Sequence, residues 1–242
     1  MQTMTLGEAQ EKLIQAESEI QKDTPQFRIS EIDCMDDQVI SLLQRGDTAH
    51  IPYISAPGIR DLLRRTKVSQ HTVRDILALY RLGALESGLA DVYLDKSRFG
   101  SCIHWGNPWA CLELLNLWPS IQSVLENTYG VPLYREQLEK LIENTTGCSS
   151  EEAAEWVKSL VGNISKEERK VIERSILKSA KKNETPEKII RELLVLFKRQ
   201  GGTLKQLQRE SFIQSYAEIA YRFCYLSIHY SDSIGGEINA SQ

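Results

Sequence analysis

Apolar residues recur every three or four positions through most of this 242-residue chain, the period of an amphipathic helix. Residues 1–22 set Leu6, Ala9, Leu13, Ala16 and Ile20 on one seam-like stripe, suited to an arm that packs on a partner subunit or on its own domain. Asp23-Thr24-Pro25 breaks that helix. Residues 30–45 turn Ile32, Met35, Val39, Leu42 and Leu43 inward and stop at Arg45-Gly46-Asp47. His50 to Ile54 reads as a short strand, and Pro57-Gly58 starts a helix with Ile59, Leu62 and Leu63 on its apolar side. Ser69 is placed to cap the next helix through its side-chain oxygen. In that helix Val73, Ile76, Leu77 and Tyr80 share a face, and Gly83 ends it.

Past Gly83 the pattern changes. Leu89 to Leu94 reads as a strand, Asp95 to Gly100 as a turn and Ser101 to Trp105 as a returning strand. From Asn107-Pro108 to about residue 230 only helices are predicted. The first, Trp109 to Leu117, is apolar almost all round and is expected to lie buried between domains. Residues 136–147 and 148–157 form a second helix, glycine turn, serine cap and helix, whose outward residues Glu151, Glu152 and Glu155 are acidic. Residues 165–182 make a basic helix, read either as a solvated bundle face or as an auxiliary phosphate-contacting surface. Thr185-Pro186-Glu187 opens the next helix, and Gly201-Gly202 is expected to stop it. The last helix, about 204–229, carries an aromatic stripe that suits a core or a dimer surface. The small polar tail 231–242 is expected to be disordered.

The residues left outside the helix after Ser69 are Gln70, His71, Arg74 and Arg81, types that hydrogen-bond base edges and phosphates. A helix-turn-helix followed by a hairpin resembles the winged helix-turn-helix superfamily. Its nearest likeness is the reading unit of GntR-type regulators, carried here by Val68, Ser69, Thr72, Val73, Arg74, Leu77 and Leu82, with Ala84-Leu85 near the usual Gly-Leu. Thr66-Lys67 stands where that family has Leu-Gly. The likeness covers about residues 35–106. It implies a reading helix, Gln70 to Leu82, in the major groove of double-stranded DNA, with Ser69, Gln70, His71, Thr72 and Arg74 near bases or backbone. Arg64, Arg65, Lys67 and Arg81 would grip phosphates, and Lys96 and Arg98 would reach the flank through the wing. Such regulators bind as dimers to paired half-sites.

Charge agrees locally. Residues 58–82 hold six basic side chains (Arg60, Arg64, Arg65, Lys67, Arg74, Arg81) against Asp61 and Asp75, in a chain of formal net charge -4. A basic island in an acidic protein is the footprint of one local nucleic-acid surface, whereas the acidic total argues against indiscriminate coating. The five cysteines are scattered, which fits free thiols in a reducing compartment. There is no apolar run of membrane-spanning length and no secretory signal, so a cytoplasmic, nucleoid-associated protein is expected.

Chemistry is harder to find. No phosphate-binding loop, dinucleotide fingerprint or zinc motif occurs, and no nucleophile elbow. Cys102, His104 and Cys111 lack a fourth ligand for a structural zinc. Asp33, Asp36 and Asp37 suit a helix start. No enzyme, metal, cofactor or small-molecule effector is therefore expected. The predicted fold is mainly α, with an arm (1–29), a winged helix-turn-helix domain with a small β-hairpin wing (30–106), a C-terminal helical domain (107–230) and a tail (231–242). The predicted function is sequence-selective binding of double-stranded DNA by a transcriptional regulator, with a homodimer or protein partner engaged through 107–230. The rival reading is a non-catalytic winged-helix assembly subunit of a replication, partition, chromosome-organising or defence complex.

Overall fold

A computed structural model describes residues 4–69, 71–83, 87–100, 109 and 111–231. Every regular element among them is helical. They are α1 (Leu6–Ile20), α2 (Asp37–Arg45), α3 (Pro57–Arg65), α4 (Thr72–Arg81), α5 (Leu89–Phe99), α6 (Cys111–Leu115), α7 (Pro119–Leu125), α8 (Arg135–Thr146), α9 (Ser150–Val161), α10 (Lys166–Lys182), α11 (Glu187–Leu204) and α12 (Glu210–His229). The chain divides into two compact units, Met1–Leu77 with Ser211–Gln242, and Ala78–Glu210. No helix among the described residues is long and apolar enough to cross a membrane.

In the first unit α1 buries Ala9, Leu13, Ala16 and Ile20, the stripe its spacing predicts. Thr5 and Glu8 exchange the reciprocal bonds of a capping box at its start, which satisfies two otherwise unpaired amides. α2 begins at Asp36, whose Oδ1 accepts the amides of Gln38 and Val39 at 3.0 Å. Its other carboxylate oxygen lies 3.1 Å from His229 Nε2 at the end of α12, and the Asp36 amide donates to the Tyr221 hydroxyl at 2.9 Å. Burial works against ionisation of Asp36. The Val39 amide, the His229 ring and the Gln38 amide outweigh it and hold the carboxyl below its ordinary range.

α2 and α3 pack together, and the C-terminal end of α2 is closed by α3. Arg60 Nε donates to the Gly46 carbonyl and Arg64 Nε to the Arg45 carbonyl, each at 2.9 Å. Cations are favoured there because the last carbonyls of a helix carry partial negative charge. Gly46 turns the chain with φ +64°, and a Cβ on it would meet the Arg60 carbonyl oxygen at 2.7 Å.

The expected strand at His50–Ile54 is instead a turn. Thr48 Oγ1 donates to the Ile54 carbonyl at 2.8 Å and Tyr53 sits at φ 67°. That closure sends Ile51 and Ile54 both inward, which an alternating strand could not do at a spacing of three.

In the second unit the largest correction concerns the wing. Residues 89–94, expected as its first strand, begin α5, which runs on through the expected turn. Gly88 and Gly100, both left-handed, bracket it, and Leu89, Ala90, Val92, Tyr93, Leu94 and Lys96 are buried. A short apolar run fits a buried strand or a buried helix equally by pattern. Packing on two sides, including Tyr129 edge-on to Tyr93, suits the helix. The expected return strand at 101–105 lies outside the described residues.

α8 packs against α7, α9 and α10, α9 against α10 and α11, and α11 against α6 and α10. The Gly147 turn and the Ser149 cap between α8 and α9 form where the sequence places them. α11 does not stop at Gly201-Gly202 but continues to Leu204, which is buried. Two helical glycines cost about 2 kcal/mol together relative to alanine, and burying a leucine contributes about as much. The helix predicted from Trp109 to Leu117 is described only as α6, five residues long. Residues 232–242 of the expected tail lie outside the described residues.

Gly46→Ala should lower stability by about 1–3 kcal/mol through left-handed backbone strain, read by urea denaturation. A second test concerns Asp36. A carboxyl held low in the folded chain stabilises it only while ionised. Its contribution is full above the unfolded value near ~3.9 and is lost as pH falls through the folded value. Asp36→Asn keeps a capping oxygen, so its melting temperature should lie below that of the parent at neutral pH, and the gap should narrow as acidification protonates Asp36 in the folded parent. A gap that stays constant with pH would contradict the assignment.

Candidate nucleic-acid interface

The basic residues expected to form one reading surface are placed very differently from one another. Arg64 is exposed at the end of α3, with its Nε committed to the α2 terminus. Arg65 is half-buried, 3.5 Å from Asp61. Lys67 is exposed in the turn that follows. Asp47 beside this surface is held below its ordinary range, first by the Arg45 hydrogen bond, against burial, and then by the charges of Arg45, Arg64 and Arg60.

The start of α4 corrects the expectation. Gln70 lies outside the described residues. The Ser69 hydroxyl sits 3.1 Å from the Thr72 hydroxyl, and the Ser69 amide donates to Thr72 Oγ1 at 2.7 Å, so Thr72 is the principal acceptor at this turn. Thr72 is itself buried, while His71 and Arg81 are exposed.

Arg74, expected outside, is only 8% exposed, with Nε and Nη2 both 3.0 Å from Asp75 Oδ1. A neighbouring buried carboxylate draws the guanidinium in, because a buried charge without an opposite charge is far costlier than a paired one. Lys96, expected at a wing tip, is also buried and lies 3.1 Å from Glu113. Arg98 is exposed on the last turn of α5.

A second cationic site, unforeseen from the sequence, lies wholly within the Ala78–Glu210 unit. It is an open groove of about 500 Å³ lined by Arg135 and Glu139 of α8, Glu155 and Lys158 of α9, and Lys205 and Arg209 of the segment after α11. That segment is pinned to α8 at two points. The Arg135 amide donates to the Gln208 carbonyl at 3.0 Å, and the Glu210 amide to Glu136 Oε1 at 2.7 Å.

Glu139 holds both arginines, Arg135 at 3.3 Å and Arg209 at 3.4 Å. Lys158 and Lys205 have no ion-pair partner among the described residues. Four cations against two carboxylates leave the groove positive. Fixed guanidinium forks beside free ammonium groups are donors suited to a phosphate chain. The four cations are spread from residue 135 to residue 209, on three separate segments of the chain. Among the described residues no group of three or more His, Cys, Asp or Glu is arranged to hold a metal ion.

Comparison with known proteins corrects the family resemblance. The profile described as the bacterial DNA polymerase III alpha subunit finger domain matches residues 5–184. Full-length relatives include the DNA polymerase III subunit alpha of Bacillus subtilis (strain 168), 28% identical over 240 residues, 95% of this chain and 19% of that protein. Others are the same subunit of Aquifex aeolicus (strain VF5), 27% identical over 200 residues (81% and 16%), and of Campylobacter jejuni, 28% identical over 203 residues (82% and 15%). The chain thus spans less than a fifth of the length of these relatives. The GntR-like winged-helix identification falls with this match and with the helix in place of the wing. The transcriptional-regulator reading falls too, and so does the expectation of a chain unconnected with an enzyme, since the matched family is part of a polymerase subunit.

Removing one side of the buried pair, Arg74→Ala, should cost about 3–5 kcal/mol of stability, measured by chemical denaturation. A loss below about 1 kcal/mol together with weakened DNA binding would return Arg74 to the surface role first expected of it.

Proposed function

The chain belongs to the bacterial DNA polymerase III alpha subunit finger-domain family, and from that premise we propose that it serves DNA replication as the finger element of a polymerase, holding the phosphate chain of a deoxynucleoside triphosphate in the α8–α9 groove. The observation that carries this reading is the pair of unpartnered lysines, Lys158 and Lys205, lining one groove with Arg135 and Arg209. A triphosphate brings several negative charges, and charge-assisted hydrogen bonds to it are the strong kind. The groove volume falls within the range of small-molecule sites. Glu139 keeps the two arginines in place before the ligand arrives, which reduces the ordering that binding requires. Glu155 opposes the ligand by charge, so the net attraction rests on the two lysines.

Of the readings drawn from sequence, the replication assembly is the one the family match supports. The partner expected for residues 107–230 then becomes another part of the polymerase. Exposed Arg64 and Lys67, with His71, Arg81 and Arg98, are proposed to meet DNA phosphates without reading sequence, because phosphate contacts position a duplex and carry no base information.

The test is calorimetric binding of a magnesium deoxynucleoside triphosphate to the parent chain and to the Lys158→Gln/Lys205→Gln/Arg209→Gln variant. Loss of hydrogen bonds to charged groups should weaken binding about tenfold or more. No binding by the parent, or equal binding by the variant, would overturn the groove assignment.

A further inference from the structure

We infer that α10 presents a second, separate polyanion surface, a ridge that lies along the sugar-phosphate backbone of duplex DNA. Lys166, Lys170, Arg174, Lys178 and Lys182 follow one another at a strict interval of four residues. That interval is one of the natural ridges of a helix surface, here about 24 Å long. All five side chains are exposed, and Lys181 stands beside the end of the row. The opposite side of α10 buries Ile176 and Ala180, so packing within the unit directs the ridge to solvent.

The row is unusual because five uncompensated like charges follow one another at i,i+4. Like charges four residues apart repel and weaken a helix. Elsewhere among the described residues some helical cations take carboxylates three or four positions away, Lys140 with Glu143, Arg191 with Glu187 and Arg222 with Glu218, and exposed ones that do not, such as Lys158, Lys188, Lys198 and Arg199, form no run at this interval. On α10 none of the five cations has an ion-pair partner among the described residues. Of the three acids on α10, Glu168 is spent on the cap, accepting the Ser165 amide and hydroxyl at 2.8 Å each, and neither Glu167 nor Glu173, each three residues from Lys170, forms an ion pair with the row. Acids outnumber bases in the whole chain, 33 against 29, so a shortage of carboxylates does not explain the row. Its self-repulsion is relieved by a partner that carries regularly spaced negative charge.

Duplex DNA fits that partner better than a single strand. Single strands are held largely by stacking bases on aromatic rings, and α10 has no Phe, Tyr or Trp. Duplex DNA offers one phosphate per ~3.4 Å of axis on each strand, dense enough for a row of this pitch to meet several. The inference shares the premise of a DNA-handling chain but not the nucleotide groove, whose residues lie elsewhere.

The experiment measures binding of a short labelled duplex of mixed sequence by fluorescence anisotropy across a sodium chloride series. It uses the full chain, the Lys170→Gln/Arg174→Gln/Lys178→Gln variant, and a control that removes three charges elsewhere, Lys22→Gln/Lys140→Gln/Arg191→Gln. The α10 variant should bind roughly tenfold or more weakly, with the salt slope shallower by about 0.9 for each phosphate it no longer neutralises. Its triphosphate binding should equal that of the parent, which separates failure of this surface from failure of the groove. Lys170→Arg/Lys178→Arg should keep full duplex affinity. Salt-insensitive or absent duplex binding by the parent would overturn the inference. So would equal loss in the control, an α10 variant that binds like the parent, or a single strand that binds as tightly as the duplex and suffers the same loss.

Discussion

Helix ends are where this structure is decided. Each described element is a helix, and every helix leaves several amides and carbonyls without intrahelical partners. At the starts, short polar side chains close the amides: Thr5 with Glu8, Asp36, Ser149, and Ser165 with Glu168. Gln137 serves the start of α8, its Oε1 accepting the amides of Leu133 and Tyr134. At the far ends, side chains from other helices reach in. Arg60 and Arg64 close α2, Arg169 donates to the Leu160 carbonyl in the last turn of α9, and Asn183 donates to the Asn144 carbonyl in the last turn of α8. These bonds fix which helices neighbour one another within each unit, and hence where grooves open.

The same bonds sort the basic residues into two populations. Arg60, Arg64, Arg74, Lys96 and Arg169 are engaged by carbonyls or carboxylates of the chain itself. Lys158 and Lys205 in the groove, and the five cations along α10, have no ion-pair partner among the described residues. The proposed phosphate contacts draw on the second population. Its cations keep full charge near solvent, and a polyanion gains from each contact by releasing condensed counterions. A finger domain handles both a nucleotide and a duplex in this reading, and the two free cationic surfaces differ accordingly. One is a compact cleft with arginines held in advance, the other an extended row without a cleft.

The mistaken likeness to a winged helix is instructive in the same terms. Thr72–Arg81 does form a helix with Val73, Ile76 and Leu77 inward, though Tyr80 of the expected face is exposed. The likeness misled because the residue types that read DNA also make buried ion pairs. Arg74 beside Asp75 is an ion pair in waiting once the helix packs on that side. The second half of the likeness depended on residues 89–94, and an apolar run bounded by glycines carries no period that separates strand from helix.

Local physics, read along the chain, determined a good deal about this protein. The helical class, the starts at Ser149 and Ser165, the stops at Gly46, Gly83 and Gly147, and the basic character of α10 all follow from periodicity, capping chemistry and left-handed glycines. These depend on neighbours a few residues away. Tertiary structure alone decided that Gly201-Gly202 lies inside a helix, that residues 50–54 turn, and that Arg74 and Lys96 are buried. It also decided that Arg135, Lys158, Lys205 and Arg209 share one groove. Each of these turns on whether distant segments bring apolar surface or an opposite charge to the same place, and such free energies are set by packing rather than by sequence proximity.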